Sequence, residues 1–190
     1  MFDVEPPRSM AALSAALEQL NGEITATLEP WPTERLLRPQ GTAWSPADHL
    51  RHLTKSMRPV AMAMGLPRLL LALRFGVSFR GSRSFEQVRD IYQQALADGS
   101  AQAGRFAPSA RQAEVPPEEW RQQVMARWQE AANDLAGALR RWPEGALDRY
   151  RLPHPVLGKL TLREMLFFTV VHNAHHANRV MERAAAEDAA

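Results

Sequence analysis

The chain has 190 residues, 45% of them hydrophobic, with 23 Lys or Arg against 21 Asp or Glu and no cysteine. That length suits one domain, 1–190, with a sizeable core, and the lack of cysteine excludes disulfides, thiolate ligands and a cysteine nucleophile. A formal charge of +2 is small, so the basic pI alone does not imply nucleic acid.

MFDVEPPRSM carries no basic run followed by an apolar core, so no secretory signal is expected and the composition suits a cytoplasmic protein. From Ser9 to Leu28, apolar residues at 13, 17, 20, 24 and 28 predict an amphipathic helix that stops near Pro30. The second helix opens at Trp44-Ser45-Pro46-Ala47-Asp48. Ser45 is the expected cap, Pro46 suits the first helical position, and Asp48 completes a capping box. Leu50, Leu53 and Met57 form its apolar stripe, and Pro59 is expected to kink or end it.

A long crossover follows, about 64–114, with a short apolar piece at Leu69–Leu73, a helix from Phe85 to Ala97 and a loop-like tail. The greasiest stretch, Pro59 to Phe75, is broken by Gly65, Pro67 and Arg68 and is too interrupted to span a membrane. Between 55 and 112 stand nine Lys or Arg and three Asp or Glu, a local net of +6 within a chain of +2. A solvated basic surface explains this; recruitment of an anionic substrate or lipid is the alternative.

The third long helix is expected from Pro117 to Arg141, closed by Pro143, and the run RWPEGALDRYRLPHPVLGKL reads as mostly loop. The last helix opens at Thr161, with Glu164 completing a capping box and Leu160 placed to staple against Met165. The elements are thus helices with almost no strand. Four long helices and one long middle connection predict an all-α four-helix bundle with a partly helical crossover between the second and third core helices, a scaffold that can hold a metal in its interior.

Five of the six histidines fall in two segments, His49 and His52 in WSPADHLRHL and His172, His175 and His176 in VVHNAHHANRV. At roughly 100° per residue, His172 and His176 share one helical face about 40° apart, whereas His175 lies about 100° from His176 and cannot easily join both. The helix therefore offers two ligands, and a third must come from elsewhere; the upstream pair is the source at hand. Asn173 after His172 removes an HExxH motif, and Thr169 removes an ExxH pair, so zincin and carboxylate-bridged di-iron sites are disfavoured.

WSPADHLRHL and HPVLGKLTLREMLFFTVVHNAHHANRV together resemble the DinB-like (YfiT-like) superfamily of metal-dependent enzymes, a family of four-helix bundles distinct from the DNA polymerase of the same name. The resemblance implies His52, eight residues after Trp44, and the HxxxH pair His172 and His176 as ligands of a divalent ion. Zinc is the default for such a set, with nickel, iron(II) and manganese compatible. The resemblance further implies a thiol S-transferase or thiol-adduct isomerase acting on small electrophiles, with a low-molecular-weight thiol as partner. A metal-dependent hydrolase and a non-catalytic, stress-related metal-binding bundle are the alternatives, and a homodimer is compatible with either.

No general base is assigned, so the catalytic residues beyond the ligands are unknown. His49 is expected to pack against Trp44, His175 to sit at the rim, and His154 to occupy a turn or pocket edge. Glu164 is expected to act in its cap rather than behind a ligand. Trp31, Trp44, Trp120, Trp128 and Trp142 are expected in the core.

Overall fold

In a computed structural model, which describes residues 2–39, 43–109 and 114–189, the chain is mostly helical with one small two-stranded sheet. The helices are α1 (Met10–Leu28), α2 (Thr33–Leu37), α3 (Pro46–Met64), α4 (Arg68–Phe75), α5 (Phe85–Ala97), α6 (Pro117–Leu139) and α7 (Leu162–Asp188). Strands β1 (Arg151–His154) and β2 (Gly158–Thr161) form an antiparallel hairpin directly before α7.

The helix starts follow from their caps. Ser9 accepts from the Ala12 amide, and Ser45, Ser84 and Thr161 each close a capping box with Asp48, Gln87 and Glu164. These side chains satisfy amides that the first helical turn leaves without partners. Of the two outcomes expected at Pro59, a kink or an end, the helix does not end there: Pro59 lies inside α3. Proline there removes an intrahelical hydrogen bond and costs about 3 kcal/mol in an exposed helix. Here Val60, Ala61 and Met64 beyond it are buried, and the Met64 carbonyl accepts a 2.8 Å bond from the Trp142 indole, so tertiary packing carries the helix onward.

The four long helices close a ring: α3 packs on α6, α6 on α1, α1 on α7 and α7 on α3. Leu13, Leu17 and Ile24 of α1 meet Leu50, Leu53 and Met57 of α3, Trp128 and Leu135 of α6, and Leu166 and Val170 of α7 in one continuous apolar core. The Trp128 indole donates to Thr25 Oγ1 at 2.9 Å, which satisfies the one polar atom of the largest core side chain. Trp120, Trp128 and Trp142 are buried as expected and Trp31 packs at the core edge, whereas Trp44 is half-buried on a cavity wall beside three histidines.

A buried carboxylate helps to tie the crossover to the start of α7. Glu164, fully buried, takes hydrogen bonds from Arg80 Nη2 at 2.8 Å, from the Arg83 amide at 2.7 Å and from Arg83 Nε at 3.0 Å, besides capping α7 through the Thr161 amide. Burial alone would raise its pKa, but these donors outweigh it and hold the carboxyl at about 2. Two of the crossover's positive charges are therefore structural.

The run read as loop before α7 contains the hairpin. Leu152 pairs with Leu160 and His154 with Gly158, and Gly158 adopts φ 73°, a left-handed conformation that favours glycine at the end of the tight connection.

Candidate metal centre

The centre forms where α3 and α7 pack. The capping box fixes the start of α3, and its helical periodicity then places His49 and His52 one turn apart on the face toward α7. On α7, His172 and His176 lie one turn apart and face back. Asn173, the residue after His172, anchors this part of α7 to α1 by donating from Nδ2 to Asn21 Oδ1 at 2.9 Å, both side chains being buried.

His52 Nε2 and His172 Nε2 are 3.0 Å apart. The His176 ring centre is 4.6 Å from those of both His52 and His172, and one ligand atom from each of the three lies within 4.8 Å of the others. Two imidazoles sharing a tetrahedral ion at bonds of about 2.0–2.1 Å have nitrogens roughly 3.3 Å apart, so the closest pair stands near that separation. His52 Nδ1 is 3.1 Å from the Phe106 carbonyl, which only accepts. The His52 proton therefore sits on Nδ1 and the Nε2 lone pair points toward His172, the arrangement in which a backbone carbonyl orients a ligating imidazole.

Burial keeps these rings neutral. It lowers the pKa of His172 and His176 well below 6.5, with neighbouring imidazoles adding to the effect, and lowers that of His52 against an opposing contribution from the Phe106 carbonyl. Neutral nitrogen lone pairs, without a thiolate or carboxylate among them, are the donor set of zinc and its divalent neighbours. The three residues fit such an ion.

The remaining histidines take separate places. His49 packs edge-on to Trp44 as expected, at 5.5 Å between ring centres, but its Nδ1 also lies 2.8 Å from His176 Nδ1. Burial, with Arg183 nearby, lowers its pKa to about 4. His175 is half-buried on the cavity wall, edge-on to Tyr92. His154 sits in the hairpin, where its Nδ1 accepts from the Val156 and Leu157 amides at 3.2 and 3.0 Å, and its ring abuts Phe168 at the cavity edge. Glu164 does not approach the ligands; its oxygens are committed to the cap and the two arginines.

The histidines open into a cavity of about 720 Å³. Trp44, Tyr92, Phe106 and Phe168 supply aromatic wall, and burial pushes the Tyr92 phenol up, so it stays a protonated donor. Among the described residues no Asp or Glu lines the cavity, while Arg74, Arg105, Arg179 and Arg183 do, and none of the four forms an ion pair. Sequence reasoning did not find Tyr92, Phe106 or the arginines of α7. Tyr92 follows the apolar spacing of α5, and Phe106 acts through its backbone, which leaves no side-chain signature.

Among the described residues no helix is long and apolar enough to cross a membrane. A search of curated proteins finds no match to the chain. The family model of the DinB superfamily matches residues 16–180, which span both histidine-bearing segments and reach into all four helices of the ring. The chain belongs to the DinB superfamily.

Proposed function

We propose that the protein is a divalent-metal-dependent transferase that joins a low-molecular-weight thiol to a small electrophile, or isomerises a thiol adduct. His52, His172 and His176 hold the ion, with zinc the first choice and nickel, iron(II) or manganese suited to the same nitrogens. The observation that carries this reading is the group of three neutral histidines, ligand atoms within 4.8 Å of one another, opening on a cavity with arginines and, among the described residues, no carboxylate. Such an ion supplies Lewis acidity, lowering the pKa of a thiol or water that binds it.

The chain's own groups then divide the work. Arg105, Arg179 and Arg183 receive the carboxylates of an anionic thiol, and Arg74 extends the same positive rim. Trp44, Phe106 and Phe168 exclude water from the apolar part of the substrate, and the Tyr92 hydroxyl donates to an oxygen or leaving group in the cavity. Hydrolysis is the competing reaction at these ligands. Among the described residues no carboxylate lines the cavity to serve as a base for either reaction; the arginines, which suit an anionic thiol, favour transfer.

The ring of helices is read as a four-helix bundle forming one domain, and the cysteine-free composition suits the cytoplasm. Leu69 and Leu73, one turn apart on α4 and each more than 70% exposed, support self-association through α4 into a homodimer.

The test is metal-dependent consumption of chlorodinitrobenzene with a panel of thiols. Turnover that vanishes in His172→Ala with the helical signal intact is the expected result. Metal-dependent stability without turnover of any thiol in the panel would leave a non-catalytic metal-binding bundle.

A further inference from the structure

His49 is buried one helical turn before His52, and its Nδ1 stands 2.8 Å from Nδ1 of His176. A contact between two imidazole nitrogens at that distance carries one proton, and each neutral ring carries one proton in all. Two arrangements satisfy both conditions. In the first, His176 donates from Nδ1 and keeps a lone pair on Nε2, while His49 accepts at Nδ1 and bears its proton on Nε2. In the second, His49 donates, His176 accepts at Nδ1, and the His176 proton occupies Nε2, which leaves that ring no free lone pair.

Only the first lets His176 serve as a ligand without breaking the contact. We infer that His49 is a positioning residue for the metal centre: by accepting the Nδ1 proton of His176, it supports the tautomer whose Nε2 is open to the ion. The inference rests on the reading of His176 as a ligand. It gives His49 the role that the Phe106 carbonyl has toward His52, with an imidazole in place of a backbone acceptor.

The surroundings hold this geometry. Trp44 stacks on His176, 6.1 Å between ring centres, and meets His49 edge-on, so one indole brackets both rings. His49 Nε2 is buried without a hydrogen-bond partner among the described residues. That atom is an unmatched donor in the first arrangement and an unmatched acceptor in the second. An orphaned donor is the costlier, so the two compete in the metal-free chain, and ligation at His176 Nε2 decides between them.

Zinc affinity, measured on the full chain by competition with a chromophoric chelator, tests the inference in two variants. His49→Phe keeps an aromatic ring against Trp44 and removes the acceptor; His49→Gln restores an acceptor oxygen. Binding is expected to weaken about 10- to 100-fold in His49→Phe and to recover to within about threefold of wild type in His49→Gln. Histidine ring spectra of the isotope-labelled, zinc-loaded wild type are expected to place the His176 proton on Nδ1. Wild-type affinity in His49→Phe, or a zinc-loaded His176 without a proton on Nδ1, would overturn the inference while leaving the ligand assignment standing. Failure of the wild type to bind zinc, nickel, iron(II) or manganese would overturn the assignment, and this inference with it.

Discussion

His52 Nε2 of α3 approaches His172 Nε2 of α7 to 3.0 Å, and the Phe106 carbonyl decides which of the two donates. Because His52 keeps its proton on Nδ1, its Nε2 can only accept, so in the metal-free chain His172 Nε2 is the donor. For an ion to take that place the His172 proton would move to Nδ1, and the ion would then join two helices through one centre. Added zinc at about 100 times its Kd is therefore expected to stabilise the wild type by about 2.7 kcal/mol in urea titrations. In His52→Ala and in His172→Ala that increment is expected to disappear. An unchanged zinc increment in either variant would argue against a shared site.

Glu164 gives the fold a defined acid sensitivity. Its folded pKa of about 2 lies below the ordinary 4.5, so its contribution is complete above the ordinary value and is lost as pH falls through the folded one. The contribution is roughly 2–3 kcal/mol, allowing for the water that reaches Arg80 and Arg83. Glu164→Gln is expected to lose about that much at neutral pH and to show a flatter urea midpoint between about pH 5 and about pH 2 than the wild type. Parallel pH profiles for the two proteins would mean that the carboxylate does not anchor the crossover.

The sequence made some of this legible through local rules. The capping residues Ser45 and Thr161 mark the starts of α3 and α7, and the spacing of His172 and His176 places both on one helical face. What spacing could not decide was which upstream histidine faces them, because His49 and His52 lie on the same side of α3. Family likeness pointed to His52 and left His49 as a packing residue; its contact with His176 depends on the depth at which two helices meet. The hairpin was obscured by Pro153 and Pro155, whose turn character hides the pairing of Arg151–His154 with Gly158–Thr161. At Pro59 the helix does not end for a similar physical reason: local propensity yields when the residues beyond it are buried.

The positive rim predicts a charge-selective effect on binding. Replacing Arg179 and Arg183 together with Gln is expected to raise KM for a carboxylate-bearing thiol about tenfold and to change kcat less than about twofold. A neutral thiol should be nearly indifferent to the change, and higher salt should narrow the difference for the anionic one. Equal losses for charged and neutral thiols would remove the arginines from substrate recognition.

The exposed face of α4 predicts an association state. Leu69 and Leu73 are 72% and 78% exposed, and Leu69→Glu with Leu73→Glu is expected to convert a dimer into a monomer in light scattering without altering the helical signal. A wild type that is monomeric across the accessible concentration range would contradict that assignment.

The most direct measurement is the metal content of protein purified without a metal-affinity step and then reconstituted with zinc, nickel, iron(II) or manganese. About one tightly held divalent ion per chain is expected in the wild type, and none in His52→Ala or His176→Ala at matched concentration. A wild type that retains none of the four metals, or variants that retain as much as the wild type, would contradict the three-histidine site.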